Sequence, residues 1–591
     1  ATAIHNFVGK IDSNIKLENV EEISGHGLKA TINNKELLVG NFKLMNKFSI
    51  KANLVDCFSR SIQSAEITVE NGKIQSISFF NSDGIDPSLP FISPGFIDAH
   101  VHIESSMLIP SEFARLAVVH GTVSTVSDPH EITNVCGLEG VRFMINNGKT
   151  VPFKFNFGAP SCVPATVFET AGSEINADDV AALLAEADIK YLSEMMNFPG
   201  AIYGDPEVLN KINAAQALGK PVDGHAPGLR GLDLETYINR GVSTDHECFT
   251  IEEAREKLSL GMKIIVREGS AAKNFDALIP LIVDHHEMMM FCTDDKHPDS
   301  LVLGHINNLC AKAVSLGYDV FNILQTACIN PVFHYKLDVG LLRIGDPADF
   351  ILLENLTNFN VMATYIDGIK VAENGVSLIE RVKSEDKIIN SFDIHKIKLA
   401  DLNFPSSDTY DFPVIECLDG QLITPKSSLK PLKFNNTWVS NVTQDVLKIV
   451  VVNRYHKAPI AMGFIHRFGM KEGAIASSVA HDSHNIVAVG VDDESLFSAI
   501  NLIIDGKGGV SCVGKNNSSV LALPIGGLMS ADDGYEVAEK YTAIDFAAKQ
   551  LGSPLSSPFM SPSFMALLVI PHVKLSDKGL FDGDSFKLYE H

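Results

Sequence analysis

The sequence predicts an α/β protein built on a (β/α)8 TIM barrel, with a flanking small β-sandwich domain and an additional C-terminal α/β (α+β) domain. Between residues 94 and 334, apolar strands alternate with helical stretches through eight rounds, which is the pattern of a closed barrel of this type. An open, doubly wound sheet would alternate in the same way, but eight rounds favour closure. Strand-and-turn segments on both sides of this region, and a mixed segment after it, predict the two additional domains.

The predicted domains follow the chain in order. Hairpin turns at Asn71-Gly72 and Asp367-Gly368 lie in β-rich segments before and after the barrel, and we expect these segments to share one small domain. The four predicted units are an N-terminal extension, the small β-sandwich domain in two pieces, the barrel and the C-terminal domain: residues 1–45, 46–93 with 335–392, 94–334, and 395–591.

The spacing of apolar residues places the individual elements. The eight expected barrel strands are Phe96–His102, Val123–Ser127, Phe153–Phe157, Lys190–Met196, Pro221–His225, Val242–Glu247, Lys263–Arg267 and Glu287–Thr293. Helices are expected within the barrel at 111–118, 177–184 and 251–258, and the C-terminal domain is expected to hold strands at 446–452 and 485–491 and a helix at 493–505.

Composition limits the class of partner. The formal net charge of −24 argues against binding to nucleic acid or to an anionic membrane surface. The nine cysteines form no Cys-x-x-Cys pair, so neither a disulfide framework nor a zinc ribbon is indicated. No apolar run reaches the ~18 residues of a membrane span, and the N-terminus lacks a signal-peptide pattern. We expect a cytoplasmic protein with a small-molecule partner, and a homodimer or larger homo-oligomer.

The first barrel strand carries a pair of histidines after the Pro94-Gly95 turn. His100 and His102 are two residues apart, so on a strand their side chains project from the same face and can reach one ion. Two histidines in this arrangement can also be hydrogen-bonded core residues, so the pair alone leaves both interpretations open.

The other strand ends favour a metal site. In such barrels, functional residues lie at the C-terminal ends of the strands, and these ends supply four imidazoles and two carboxylates. This set is sufficient for two divalent cations with one bridging carboxylate. Its members are His100, His102, Glu194, His225, His246 and Asp294.

The motifs of the chain resemble the amidohydrolase superfamily and, more narrowly, its adenine deaminase family. The resemblance rests on residues 94–102, 102–106, 128–131, 224–228, 244–247, 293–298, 345–349 and 480–485. It implies a barrel flanked by a small β-domain, a two-metal site filled by iron or manganese, and conversion of adenine, a purine base, to hypoxanthine and ammonia. Many superfamily members bridge the metals with a carbamylated lysine on the fourth strand, but here Glu194 occupies the strand end and Lys190 its start.

Roles for individual residues follow from this chemistry. Fe(II) or Mn(II) are the expected ions, and Zn(II) also suits these ligands. Asp294 is expected to carry a proton from the attacking water to the leaving amine, and Glu247 to protonate the ring. Glu104 and Ser105 are expected to read the purine or to support other groups. Arg267 and Glu268 are expected to contact substrate or to pair with each other.

Four further residues keep alternative interpretations. His481 and His484 in the C-terminal domain could donate a metal ligand or close the pocket as a lid, or they could belong to an ordinary polar loop. Asp128 and His130 after the second strand could hold an additional ion or a water network. The alternatives for the whole protein are another amidohydrolase, acting on a cyclic amide or an N-acetyl sugar, or a non-catalytic scaffold relative.

Overall fold

The computed structural model describes residues 18–23, 27–32, 35–40, 47–80, 84–382 and 388–589. Three antiparallel strands form a separate sheet in the N-terminal part of the chain: β1 (Glu18–Ile23), β2 (Gly27–Ile32) and β3 (Lys35–Gly40). The sequence predicted an N-terminal extension here without naming its elements, and these three strands lie within it. The other residues of the predicted extension lie outside the described part of the chain.

Four strands lead into the barrel: β4 (Lys47–Asp56), β5 (Ser61–Glu70), β6 (Lys73–Phe79) and β7 (Phe91–Pro94). The predicted turn at Asn71-Gly72 connects β5 to β6. Asn71 and Gly72 both have positive φ, of 54° and 74°, as a tight two-residue turn between twisted strands requires.

Eight parallel strands then form a closed barrel, which confirms the predicted fold class. They are β8 (Phe96–Val101), β9 (Thr122–Ser127), β10 (Lys154–Ala159), β11 (Ile189–Met195), β12 (Val222–Gly224), β13 (Thr244–Asp245), β14 (Lys263–Arg267) and β15 (Met289–Cys292). Continuous ladders join β8 to β12 and β13 to β15. The Ser243 amide donates to Val222 O at 2.9 Å, and the Asp294 amide to His100 O at 2.9 Å, which completes the ring.

The barrel helices begin and end close to the predicted positions. Asn176 and Thr250 accept hydrogen bonds from backbone amides in the first turns of two of them, as N-cap residues do. The helices are α1 (Pro110–Ala117), α2 (His130–Cys136), α3 (Leu138–Gly148), α4 (Ala177–Ala185), α5 (Phe198–Tyr203), α6 (Pro206–Ala217), α7 (Gly231–Asn239), α8 (Ile251–Ser259), α9 (Phe275–Leu278), α10 (Ile282–His285), α11 (Pro298–Leu301), α12 (Ile306–Ser315), α13 (Val320–Leu324) and α14 (Asn330–Tyr335).

After the barrel the chain returns to the sheet formed by β4, β5, β6 and β7. The strands β16 (Phe350–Leu353), β17 (Val361–Ile366), β18 (Ile369–Glu373) and β19 (Val376–Ser377) extend it to eight strands in the order β19-β18-β17-β16-β7-β4-β5-β6. β16 pairs antiparallel with β7, the strand that enters the barrel. The two ends of the barrel segment are therefore held side by side in one sheet.

The C-terminal region contains both strands and helices. Its elements are β20 (Val414–Glu416), β21 (Lys426–Ser427), β22 (Leu432–Phe434), β23 (Thr437–Val439), β24 (Val446–Val452), β25 (Ala461–His466), β26 (Ala474–Ser477), β27 (Ile486–Gly490), α15 (Asp493–Gly506), β28 (Gly509–Val513), β29 (Ser518–Ala522), α16 (Gly534–Gln550), α17 (Met560–Met565), β30 (Val573–Ser576), β31 (Gly579–Asp582) and β32 (Lys587–Leu588). Eight strands form one sheet in the order β21-β20-β25-β24-β27-β26-β28-β29. The predicted strands and helix of this region are confirmed.

The C-terminal region packs directly on the barrel. The Ser530 amide donates to Met107 O at 2.8 Å, and Arg115 pairs with Asp533 at 2.8 Å. A single cluster of buried apolar side chains extends from the barrel into the C-terminal sheet. On the basis of these sheets, we propose that the domain boundaries lie where the sequence predicted them. No helix within the described residues has the length and apolar character needed to cross a bilayer.

Asp349, the last residue of the 345–349 motif, joins the barrel to the small sheet. Its buried carboxylate accepts hydrogen bonds at 2.8 Å from the amides of Gly340 and Asp367 and from the Lys154 ammonium of β10. Gly340 allows this close approach, because a Cβ atom there would lie 1.8 Å from Pro347 O. The motif is therefore a structural connection in this protein rather than part of the pocket.

We expect Asp349→Ala to lower the free energy of unfolding by about 3 kcal/mol, because it removes one partner of a buried ion pair and leaves two amides unpaired. Urea unfolding followed by circular dichroism measures the change. The matched control is Asp188→Ala, which breaks an exposed pair with Lys149 and should cost less than about 1 kcal/mol. Equal effects of the two substitutions would contradict the assignment.

Candidate active site

All six predicted strand-end residues meet at the C-terminal end of the barrel, where five of them line one pocket and His100 lies against them. None of these six residues is more than 5 % exposed. His100 and Glu194 lie within strands, and the others directly follow strands, as barrel geometry requires of functional residues. In chain order they are His100 in β8, His102 after β8, Glu194 in β11, His225 after β12, His246 after β13 and Asp294 after β15.

The carboxylate of Glu194 lies between two sets of histidines. Its Oε1 is 3.3 Å from His102 Nε2, whereas its Oε2 is 2.8 Å from His225 Nδ1 and 3.2 Å from His246 Nε2. Burial opposes its ionised form, but His225 and the other imidazoles outweigh this effect and hold the pKa of Glu194 well below its usual range. Glu194 thus has the position and charge of a bridging ligand.

The imidazoles form a donor set that fits divalent cations. The Nε2 atoms of His100 and His102 are 3.2 Å apart. Two neutral rings that face each other can share only one proton, whereas a cation accepts a lone pair from each. Among the described residues, the buried atoms His100 Nδ1, His225 Nε2 and His246 Nδ1 have no hydrogen-bond partner. The opposite nitrogens of these three rings, together with His102 Nε2, lie beside the carboxylates of Glu194 and Asp294. Imidazole nitrogens beside carboxylates match the ligands that iron, manganese and zinc prefer.

Asp294 is fixed by both of its carboxylate oxygens. Oδ1 lies 3.1 Å from His102 Nε2 and 3.4 Å from His100 Nε2, and Oδ2 accepts a hydrogen bond from Arg267 at 2.6 Å. Burial acts to raise the pKa of Asp294, but Arg267 and the two histidines hold it well below its usual range. Asp294 is therefore a carboxylate that faces the cluster with one oxygen.

Arg267 also holds Glu247 through two hydrogen bonds. Its NH1 donates to Glu247 Oε1, and its NH2 donates to Glu247 Oε2 at 3.2 Å. Of the two sequence-based options for Arg267, ion pairing describes the observed contacts, with Glu247 and Asp294 as partners. The pairing with Glu268 that the sequence suggested is not among these contacts, because Glu268 lies near Lys273 and Lys312 instead. Both Arg267 and Glu247 line the pocket.

Glu104 and Ser105 do not line the pocket but form hydrogen bonds with residues in or near its wall. The Ile132 amide donates to Glu104 Oε1 at 3.2 Å, and Ser105 Oγ donates to Asp295 Oδ1 at 2.6 Å. Burial raises the pKa of Glu104 to about 7. Asp295, rather than Glu104 or Ser105, lines the pocket, so the observed contacts favour the supporting role that the sequence left open.

The residues after the second strand lie against the cluster. His130 Nδ1 is 2.9 Å from Asp128 Oδ2 and 3.5 Å from Glu194 Oε1. On its other side, Nε2 is 3.5 Å from Glu131 and 3.6 Å from Asp482 of the C-terminal region. These contacts suit both a polar network and an additional ion, so both interpretations stay predictions.

The C-terminal region forms one wall of the pocket. His481, Asp482, Phe564, Leu422 and Leu567 line it opposite the barrel residues. His481 and His484 both contact the carboxylate of Glu131, through Nδ1 and Nε2 respectively. Burial disfavours the charged form of His481, but Asp295 and Glu131 outweigh burial and raise its pKa to about 10. His481 therefore presents an imidazolium to the pocket.

Three pocket carboxylates were not selected as site residues from the sequence: Glu131, Asp295 and Asp482. Each is adjacent in sequence to a selected residue, and this adjacency is the signal by which the sequence could have identified it. Only the tertiary structure distinguishes them, because it turns all three toward the same cavity.

Comparison with known proteins identifies two family models. The model described as the amidohydrolase family matches residues 91–371, and the model described as the adenine deaminase C-terminal domain matches residues 421–587. The first covers the barrel with part of the small sheet, and the second covers most of the C-terminal region.

Curated relatives match almost the whole chain. An adenine deaminase of Salinibacter ruber is 52% identical over 546 residues, which cover 92% of this chain and 98% of that protein. An adenine deaminase of a Sulfurovum species is 53% identical over 538 residues, which cover 91% and 98% of the two chains. Among solved structures, the β-aspartyl dipeptidase of Fervidobacterium islandicum aligns with 57% of this chain and 99% of its own, at 16% identity and a TM-score of 0.43.

We expect Glu194→Gln to weaken retention of divalent metal by about 100-fold or more, because an amide oxygen cannot bridge the two histidine sets as a carboxylate does. Elemental analysis after dialysis against a weak chelator measures the change. Glu139→Gln, at an exposed position of α3, is the matched control. Unchanged metal content in the Glu194 variant would exclude the bridging role.

Proposed function

The chain belongs to the adenine deaminase family of the amidohydrolases, and on this premise we propose that it hydrolyses adenine to hypoxanthine and ammonia in the barrel pocket. The observation that carries the proposal is the position of Glu194, whose carboxylate contacts histidines from opposite sides of the barrel next to Asp294. This arrangement fits a hydrolase whose nucleophile is water.

Two divalent ions are the proposed cofactor, with Fe(II) or Mn(II) preferred and Zn(II) compatible with the same donors. When bound, such ions lower the pKa of water so that hydroxide is available near neutral pH. The proposed ligands are His100, His102, Glu194, His225, His246 and Asp294.

Asp294 is the proposed proton carrier. Its Oδ1 faces the histidine cluster, while Arg267 holds Oδ2 at 2.6 Å and so fixes the orientation of the carboxylate. Oδ1 can accept a proton from the water that attacks C6 of adenine and deliver it to the departing amine. Oδ2 fixes the orientation of the carboxylate, and Oδ1 transfers the proton.

His481 is the proposed donor to a ring nitrogen, in place of Glu247. Both carboxylate oxygens of Glu247 accept hydrogen bonds from Arg267, so in this structure Glu247 acts as an acceptor. Glu247 is better suited to accept a hydrogen bond from a purine N–H. His481 is an imidazolium in the pocket wall, and a cationic donor at a ring nitrogen helps the ring to accept electrons during attack.

Apolar residues of the same wall complete the proposed base site. Phe564 packs against His481 with nearly parallel rings, 5.9 Å between centroids, and Leu422, Leu567 and Met196 also line the cavity. A flat aromatic base suits such a surface, because stacking and apolar contact need no hydrogen bonds. These residues also exclude water from the reacting atoms.

A cytoplasmic location and a homodimer or larger homo-oligomer are further proposals. The location is supported by the nine cysteines, all of which are free thiols and eight of which are buried. A reducing compartment is the usual environment of such proteins.

We expect protein loaded with Mn(II) or Fe(II) under reducing conditions to release ammonia from adenine, and Asp294→Asn to lower kcat by about 100- to 10,000-fold, because it removes the proton carrier. The metal content of each preparation is measured in parallel. Hydantoin-type rings and N-acetyl sugars are the comparison substrates. Turnover of one of these, without ammonia release from adenine, would assign the pocket to another amidohydrolase reaction.

We expect His481→Asn to lower kcat/KM for adenine by about 100-fold at unchanged metal content. The Asn amide can keep the contact of Nδ1 with Glu131, but it lacks the Nε2 donor. His484→Asn is the matched control, because His484 contacts the same carboxylate without lining the pocket. Equal losses in the two variants would show that both histidines act only by supporting Glu131.

A further inference from the structure

A second cavity lies outside the barrel wall, beside the loops that follow β14 and β15. Its volume is about 280 Å³, and it is lined by the segment 268–273, by Lys296 and Ser300, and by helix α12. It shares no lining residue with the metal pocket. Consecutive residues of the chain line different cavities. Arg267 and Asp295 line the metal pocket, whereas Glu268 and Lys296 line the second cavity.

Lys296 is the unusual residue of this cavity. It is 8 % exposed, and the described residues give its ammonium neither a hydrogen bond nor an ion pair. The carboxylates of Asp98, Glu268 and Asp299 act on it only from beyond ion-pair distance. Largely removing an ammonium group from water without a partner is costly, so an anion bound in the cavity would offset part of this cost.

The other polar groups of the cavity also favour an anion. Lys273 and Lys312 both lie 3.6 Å from Glu268 Oε1, and Lys312 also pairs with Asp276 at 2.9 Å. The lining of the cavity itself holds three lysines and one carboxylate, that of Glu268. The hydroxyls of Ser270 and Ser300 are 2.6 Å apart, and Ser300 Oγ also donates to His297 O at 3.0 Å, so these hydroxyls bond to each other and to the backbone. His305 contributes no free donor, because its nitrogens contact Thr122 and Asp98.

We propose that this cavity binds a phosphate group, either as inorganic phosphate or as a small phosphate monoester. Lys296 is the central ligand, and Lys273 and Lys312 add positive charge at the rim. The loops after strands seven and eight are where (β/α)8 barrels frequently bind phosphate. The proposal does not depend on adenine chemistry, since the site and the metal pocket share no residue.

Calorimetric titration of the metal-loaded protein with inorganic phosphate and with ribose 5-phosphate tests the site. We expect saturable binding to the parent protein, about 10- to 100-fold weaker binding to Lys296→Met, and no change in Lys149→Met, which alters an exposed lysine paired with Asp188. Tighter binding of the ester than of phosphate identifies a monoester site, and equal binding identifies a site for free phosphate.

Thermal unfolding without phosphate gives an independent readout. Lys296→Met removes an unpaired buried charge while keeping the apolar stem, so its melting temperature should be no lower than that of the parent. Absence of saturable binding to the parent would overturn the proposal, and so would equal affinity in Lys296→Met, since phosphate would then be bound elsewhere. If Lys296→Met does not fold, Lys312→Met replaces it, with weaker phosphate binding expected and unchanged affinity overturning the proposal.

Discussion

The backbone contact between the first and the eighth strand is the constraint on which the site depends. The Asp294 amide donates to His100 O at 2.9 Å, and the His102 amide donates to Asp294 O at 3.1 Å. The residues that close the barrel are thus the ones whose side chains meet in the pocket. Asp294 has a φ of 55°, a conformation uncommon outside glycine but accessible to aspartate. Barrel closure and the geometry of the acid–base group are therefore one structural feature.

The buried charges of the pocket are arranged in compensating sets. Arg267 forms ion pairs with both Glu247 and Asp294, and imidazoles surround Glu194. On the outer side, Glu131 lies between His481 and His484. Because a buried carboxylate without a partner is expensive, each carboxylate needs the groups around it. The charges of the barrel and of the C-terminal region consequently depend on each other.

The C-terminal region is part of the active-site pocket as well as a neighbour in the core. His481, Asp482 and Phe564 line the pocket, and the apolar cluster of the barrel continues into the C-terminal sheet. A barrel without this region would leave Glu131 without two partners and would open the pocket to water. This provides a physical reason for the C-terminal family model to accompany the amidohydrolase model in one chain.

The sequence by itself determined the eight strand–helix rounds, the strand ends and the six candidate ligands, because periodicity and position along a strand are local properties. It could not determine that Glu247 is held by Arg267, that Asp295 rather than Glu104 lines the pocket, or that Lys296 lies buried without a partner. Those facts depend on contacts between residues far apart in the chain, such as His481 with Glu131. Only the tertiary structure decided them, since packing fixes which face of each loop points inward.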